Sequence, residues 1–127
     1  MKKKKLHASN IFLIVCLLPL LSMLITGIIS GKPTIFGIRP FFIMTDSMIP
    51  TIPVHSVVYG IPVDAEEVEI GDIVAYTADY GWFKPTIIHR VVDIQDDFYI
   101  FKGDHNEKED MPVSVGQIKY RIKKVIL

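Results

Sequence analysis

Thr86-Ile87-Ile88-His89-Arg90-Val91-Val92-Asp93-Ile94, then Gln95-Asp96-Asp97, then Phe98-Tyr99-Ile100-Phe101-Lys102: two β-type runs joined through a polar link. This reads as an antiparallel hairpin. The same texture continues on both sides of it. Ile35 to Met44 forms one run, with Pro40 inside it, which predicts a sheet edge or a bulge. Ser56 to Val63 forms another, ended near Pro62, and Ile73 to Thr77 follows the turn-like Gly71-Asp72. Ile118 to Leu127 reads as a mixed apolar and basic closing strand. No stretch after residue 32 carries a helical period, and no internal repeat is visible. Short strands separated by Gly, Pro and Asp predict an all-β domain, small, antiparallel and partly barrel-like.

The chain before this domain is of another kind. Leu6 to Gly31 contains no Lys, Arg, Asp or Glu, and Ile11 to Ile29 is almost wholly apolar. Nineteen helical residues rise roughly 28 Å, close to the hydrocarbon thickness of a bilayer. Pro19 is tolerated in a membrane helix. Gly31-Lys32-Pro33 is a helix-stop and linker signal. Lys2 to Lys5 precede the apolar run, and the positive-inside rule predicts a cytoplasmic N-terminus. A cleaved signal peptide has a similar start. The length of the run, and the lack of an Ala-x-Ala-like site after it, favour an uncleaved single-pass anchor. The expected division is therefore an anchor at 1–31 and an extracytoplasmic β domain at 32–127. Ile35-Phe36-Gly37-Ile38 and Phe41 to Met44 read either as core strand or as a surface that rests in the bilayer. In either case Ser47 is expected close to the membrane plane.

Composition narrows the function classes. The chain of 127 residues has room for one small domain. Its formal charge is zero. Without the four N-terminal lysines, 10 basic residues face 14 acidic ones, a net of −4. That disfavours nucleic acid as a partner. The single cysteine, Cys16, lies inside the apolar run, so no intramolecular disulfide forms.

Four polar residues carry a candidate chemistry. Ser47 falls in a turn between Met44 and Pro50, and His89 lies mid-strand. Strand alternation puts His89 on the face of Ile87 and Val91, with Arg90 turned away. Asp104 and Asp110 lie in the loop 103–112, which the hairpin returns towards His89. A serine hydroxyl needs a base to become a nucleophile. Histidine titrates near neutral pH and is itself oriented by a carboxylate. Taken singly, each part has a plainer reading: a surface serine, a structural strand histidine, two turn-forming aspartates.

The set Thr45-Asp46-Ser47-Met48-Ile49-Pro50, Ile70-Gly71-Asp72-Ile73-Val74, His89-Arg90-Val91 and Lys102-Gly103-Asp104-His105-Asn106…Asp110 resembles type I signal peptidase. The boxes span residues 45–110 in family order. With His89 where the better-known bacterial branch has lysine, the chain is similar to the branch of the endoplasmic reticulum, archaea and some Gram-positive bacteria. The resemblance implies Ser47 as nucleophile, His89 as general base and Asp110 as the acid that orients it, with Asp104 as a nearby support. It also implies that Thr45 and the Ser47 backbone N–H hold the oxyanion. It further implies an extended preprotein substrate whose small side chains enter two shallow pockets. Phe41, Phe42, Ile43 and Met44, with parts of 56–63, are the expected lining. No cofactor and no metal are expected, and accessory subunits are not specified. Three positions depart from the family pattern. Asp46 stands where Gly or Asn is usual, and slows the reaction unless it points away or pairs with a cation such as Arg39. His55-Ser56 replaces a Gly-Asp pair. His105 replaces Asn or Ala.

Other readings compete. Lys84 is an alternative base, since Ser-Lys dyads exist. A histidine base predicts activity rising through about pH 6–7, an unshifted lysine only at higher pH. His89, His105, Asp104 and Asp110 are ligand types that suit zinc, although their spacing follows no familiar metal motif. A third reading is a membrane-tethered β module that binds secreted proteins without cleaving them. His7 and His55 receive no role.

Overall fold

The computed structural model of the protein describes residues 7–126; the lysine block at 2–5 and Leu127 lie outside the described residues. The chain divides into two compact units after Gly37. The first is built on a 23-residue helix, α1 (Ala8–Ser30), with Pro19 inside it and no buried residue. It is long and apolar enough to cross a membrane. Gly31 ends it in the left-handed conformation, φ 65°, and its N–H donates to the Gly27 carbonyl. The helix therefore stops where Gly31-Lys32-Pro33 predicts. The compact unit runs six residues further because the next residues turn back onto the helix. Thr26 Oγ1 accepts the Thr34 N–H at 2.8 Å, and Ser22 Oγ accepts that of Phe36 at 3.0 Å.

The second unit is a curled, half-barrel antiparallel sheet. Its strands are β1 (Arg39–Phe42), β2 (Val57–Pro62), β3 (Ile73–Thr77), β4 (Thr86–Gln95), β5 (Phe98–Lys102), β6 (Val113–Ser114) and β7 (Ile118–Ile126). Their spatial order is β1-β2-β7-β3-β4-β5-β6. Pro40 sits on β1, the edge strand, where its missing N–H costs no ladder bond. The β4–β5 hairpin closes with Gln95 opposite Phe98, and Asp96 takes φ 45° in the turn. The closing strand β7 is central, inserted between β2 and β3.

Alternation along the strands feeds two clusters. One gathers Val74, Tyr76, Val91, Tyr99, Phe101, Val113 and Ile118. The other gathers Ile43, Met48, Ile52 and Val58, with Phe41, Ile73, Ile88 and Ile122 against it. The first presses the β3–β4–β5 layer together. The second holds down the loop between β1 and β2, which carries Ser47.

Candidate active site

Met48 and Ile52, both buried, nail the β1–β2 loop into the second cluster. Two turns shape the loop between them: the Ile49 N–H donates to the Asp46 carbonyl, and the Ile52 N–H to that of Met48. Ser47 is left half-buried beside its buried neighbour. His89 comes from β4, opposite Val74 of β3, with its ring almost wholly enclosed. The loop after β5 is turned back by its own backbone. The Asp110 N–H donates to the Phe101 carbonyl at 2.8 Å, which returns Asp110 to the sheet beside His89.

These three elements meet. His89 Nε2 lies 3.1 Å from Ser47 Oγ, and His89 Nδ1 lies 2.5 Å from Asp110 Oδ2. With its ring proton on Nδ1, the imidazole donates to the carboxylate and presents Nε2 to accept the serine proton. That is the arrangement a serine nucleophile needs. Thr45 Oγ1 is 3.2 Å from Ser47 Oγ, so a second hydroxyl lies beside the first.

Tyr76 is a member that sequence reasoning missed. Its hydroxyl donates to Asp110 Oδ2 at 2.8 Å, and its ring stacks on Phe101 with centroids 4.4 Å apart. Two donors thus converge on one carboxylate oxygen. Burial, reinforced by the adjacent Asp110, pushes the Tyr76 phenol well above its ordinary value, so it keeps its proton and remains a donor. The only signal was parity: Val74 faces His89, so Tyr76 two residues on shares that face. The pairing of β3 with β4 was needed to use it.

Asp104 stands apart from this chain of contacts. Its oxygens accept from Arg90 Nε at 2.8 Å and Nη2 at 2.7 Å, and Thr51 Oγ1 donates to it at 2.5 Å. The nearby support expected of Asp104 runs through Arg90 and Thr51 and does not touch His89; it is a brace. It ties β4 to the segment after Ser47, and Arg90 Nη1 extends the tie to the Gly71 carbonyl at 2.8 Å. The Arg90 guanidinium holds the Asp104 carboxyl below the usual carboxylate range, against the opposing effect of burial, and Thr51 assists. Alternation explains the split: His89 and Arg90 are adjacent and face opposite sides.

Gly103 fits between the two loops. A Cβ there would lie 2.6 Å from the Ser47 carbonyl oxygen and 2.7 Å from Asn106 Nδ2. The same carbonyl accepts the His105 N–H at 2.9 Å. The Lys102-Gly103-Asp104-His105-Asn106 loop is thus a backbone clamp on the Ser47 loop. His105 contributes its main chain, while its side chain is exposed.

A cleft of about 320 Å³ opens in front of Ser47. Phe42, Ile43, Met44 and Thr45 form one wall; Pro85 to His89 form the other. Two expectations are corrected here. Phe41 does not line the cleft; it meets Tyr120 edge-on at 5.5 Å, because alternation on β1 turns it inward while Phe42 is exposed. Nor does 56–63 line it: β2 lies on the other side of β1, and Val58 is buried in the second cluster. The opposite wall is β4. Strand β5 pairs with β4 only from Arg90 onward, so Thr86 to His89 keep one edge without a strand partner among the described residues.

The remaining candidates take other places. Asp46 is exposed, and Arg39, the cation considered for it, lies over the rings of Phe41 and Tyr120 at 5.7 and 5.9 Å. Lys84 donates to Asp79 at 2.8 Å on the surface. Among the described residues no three His, Cys, Asp or Glu side chains converge as a metal site. His55 adopts φ 65° and stacks on Phe42, so it occupies a backbone position that suits glycine. No protein-family model, no curated protein and no solved structure matches the chain.

Proposed function

We propose that the protein is a membrane-anchored serine endopeptidase of the type I signal peptidase kind, which removes signal peptides from secretory preproteins. The observation that carries this reading is the continuous contact Ser47–His89–Asp110, at 3.1 and 2.5 Å, opening into a cleft. The unpaired edge of β4 supports it, since an extended peptide adds naturally to such an edge. Ile43, Met44 and Ile88 line the cleft with apolar surface, which suits small apolar side chains beside the scissile bond.

In the proposed reaction His89 Nε2 takes the Ser47 proton as Oγ attacks the peptide carbonyl. The tetrahedral oxyanion is held by the Thr45 hydroxyl and the Ser47 N–H. His89 then gives the proton to the leaving amine, which departs with the mature chain. Water, deprotonated by His89, hydrolyses the acyl-enzyme and restores Ser47. Asp110 keeps the imidazole in the Nδ1–H tautomer throughout. On this reading the lysines at 2–5 keep the N-terminus in the cytoplasm, by the positive-inside rule, and the β domain lies outside. Anchoring in the bilayer that holds the substrate's apolar segment raises the effective concentration of the pair.

The test is incubation of the full chain in lipid vesicles with a panel of preproteins, beside Ser47→Ala, His89→Ala and Asp110→Asn. Cleavage by the wild type and its loss in Ser47→Ala is the expected result. Cleavage that survives Ser47→Ala removes the nucleophile assignment. Binding without any cleavage by the wild type favours the non-cleaving module, for which exposed Asp46 next to the nucleophile is the one favouring observation.

A further inference from the structure

Ser22 and Thr26 are polar interruptions in the apolar run from Ile11 to Ile29, and the proposed reaction does not use them. They lie four residues apart, hence on one face of α1. The chain after Gly31 runs back along that face. Thr26 Oγ1 accepts the Thr34 N–H at 2.8 Å, and its one proton is shared between the Ser22 carbonyl at 2.9 Å and the Thr34 carbonyl at 3.1 Å. Ser22 Oγ accepts the Phe36 N–H at 3.0 Å. Gly27 lies beside Pro33, where even a Cβ would make ordinary contact at 3.4 Å. Phe36 and Gly37 then both take positive φ, 52° and 83°, which reverses the chain again. Residues 33–37 are thus a strap with its tip at Phe36-Gly37.

The depth of that tip follows from the helix. Ser22 lies eight residues before Ser30, so the tip reaches about 12 Å back from the end of α1. The helix around it presents Leu24, Ile25, Ile28 and Ile29, all exposed. Phe36 is 65 % exposed. Backbone polar groups inside a bilayer must be satisfied internally, and here the hydroxyls of Ser22 and Thr26 take two of the strap's N–H groups, those of Phe36 and Thr34. Thr34 is 2 % exposed. Lys32 stands just before the strap, near the helix end, where a long cationic side chain reaches the headgroups.

We infer that residues 33–37 form a re-entrant strap, held to α1 by Ser22 and Thr26, whose Phe36 tip contacts lipid acyl chains in the leaflet where α1 ends. This rests on the reading of α1 as a membrane span and is independent of the peptidase chemistry. An apolar groove between Pro33 and Leu20, Met23, Leu24, Gly27 and Ile28 gives the same lipid a second surface to fill.

The test uses the full chain in phosphatidylcholine vesicles, with Cys16→Ala as background. An environment-sensitive fluorophore is placed singly at Phe36→Cys, Leu18→Cys and Glu107→Cys. Nitroxides on the acyl chain or headgroup, and aqueous iodide, serve as quenchers. The expected result is acyl-chain quenching at 36 and 18, with iodide quenching only at 107. Acyl quenching at 18 with iodide quenching at 36 overturns the strap and leaves the anchor standing. Iodide quenching at 18 overturns both. Adding Thr26→Val is expected to shift the label at 36 towards the headgroup and aqueous quenchers; an unchanged depth overturns the hydrogen-bonded tether.

Discussion

Asp110 receives two donors on one oxygen, from His89 and Tyr76, and each fixes a different degree of freedom. The imidazole bond sets the tautomer; the phenol stops the carboxylate from turning away. Tyr76→Phe keeps the ring stacked on Phe101 and deletes only the hydroxyl. We expect it to cost about 1.5–3 kcal/mol of stability, as for a hydrogen bond to a charged group. We also expect lower kcat at unchanged KM. Calorimetry and steady-state kinetics check both. For Thr45→Val the hydroxyl beside Ser47 is lost at nearly constant volume. A fall in kcat of about 100- to 1000-fold is expected if that hydroxyl holds the oxyanion, with Thr45→Ser restoring most of it. Ser47, His89 and Asp110 were legible as residue types in order, because nucleophile, base and acid each need a particular functional group. Tyr76 was not, because its part depends on which strand lies beside β4.

Among the elements, the loop after β5 decides whether the site assembles. It holds Asp110 through the Phe101 carbonyl and presses on the Ser47 loop through Gly103 and the His105 N–H. Gly103→Ala places a methyl group against main chain that cannot swing aside. We expect cleavage to fall sharply while the circular dichroism of the sheet is retained. Full activity in that variant would show that the two loops are not held in register by this contact. The strand runs were readable because alternation and turn residues are local signals. Two-residue β6 was too short to signal itself, and its pairing opposite Phe98 and Tyr99 comes from the neighbouring strand. The cleft wall was misplaced from 85–89 to 56–63 because run length along the chain does not say which strand ends beside which loop.

At the scale of the molecule, the Arg90–Asp104 brace links β4, the segment after Ser47 and the turn before β3. It sets an acid limit on the fold. Asp104 titrates near 3.8 when free and lower in the folded protein, because Arg90 stabilises its charged form. Its contribution is complete above about that ordinary value and is lost as pH falls through the lower folded one. Asp104→Asn should therefore be less stable at neutral pH and should lose less on acidification, as pH-dependent urea titrations will read. The sequence alone determined that an apolar helix precedes a β domain, where the helix stops, and which residue types are available for chemistry. Those properties depend on side-chain polarity, backbone permissiveness and period, all carried by near neighbours in the chain. Only the tertiary structure decided that β7 lies mid-sheet, that Asp104 is tied to Arg90 and Thr51, that Tyr76 joins His89 and Asp110, and that 33–37 fold back on the helix. Each of these is a contact between segments far apart in sequence or reversed in direction, settled by how strands pair and loops return rather than by local preference.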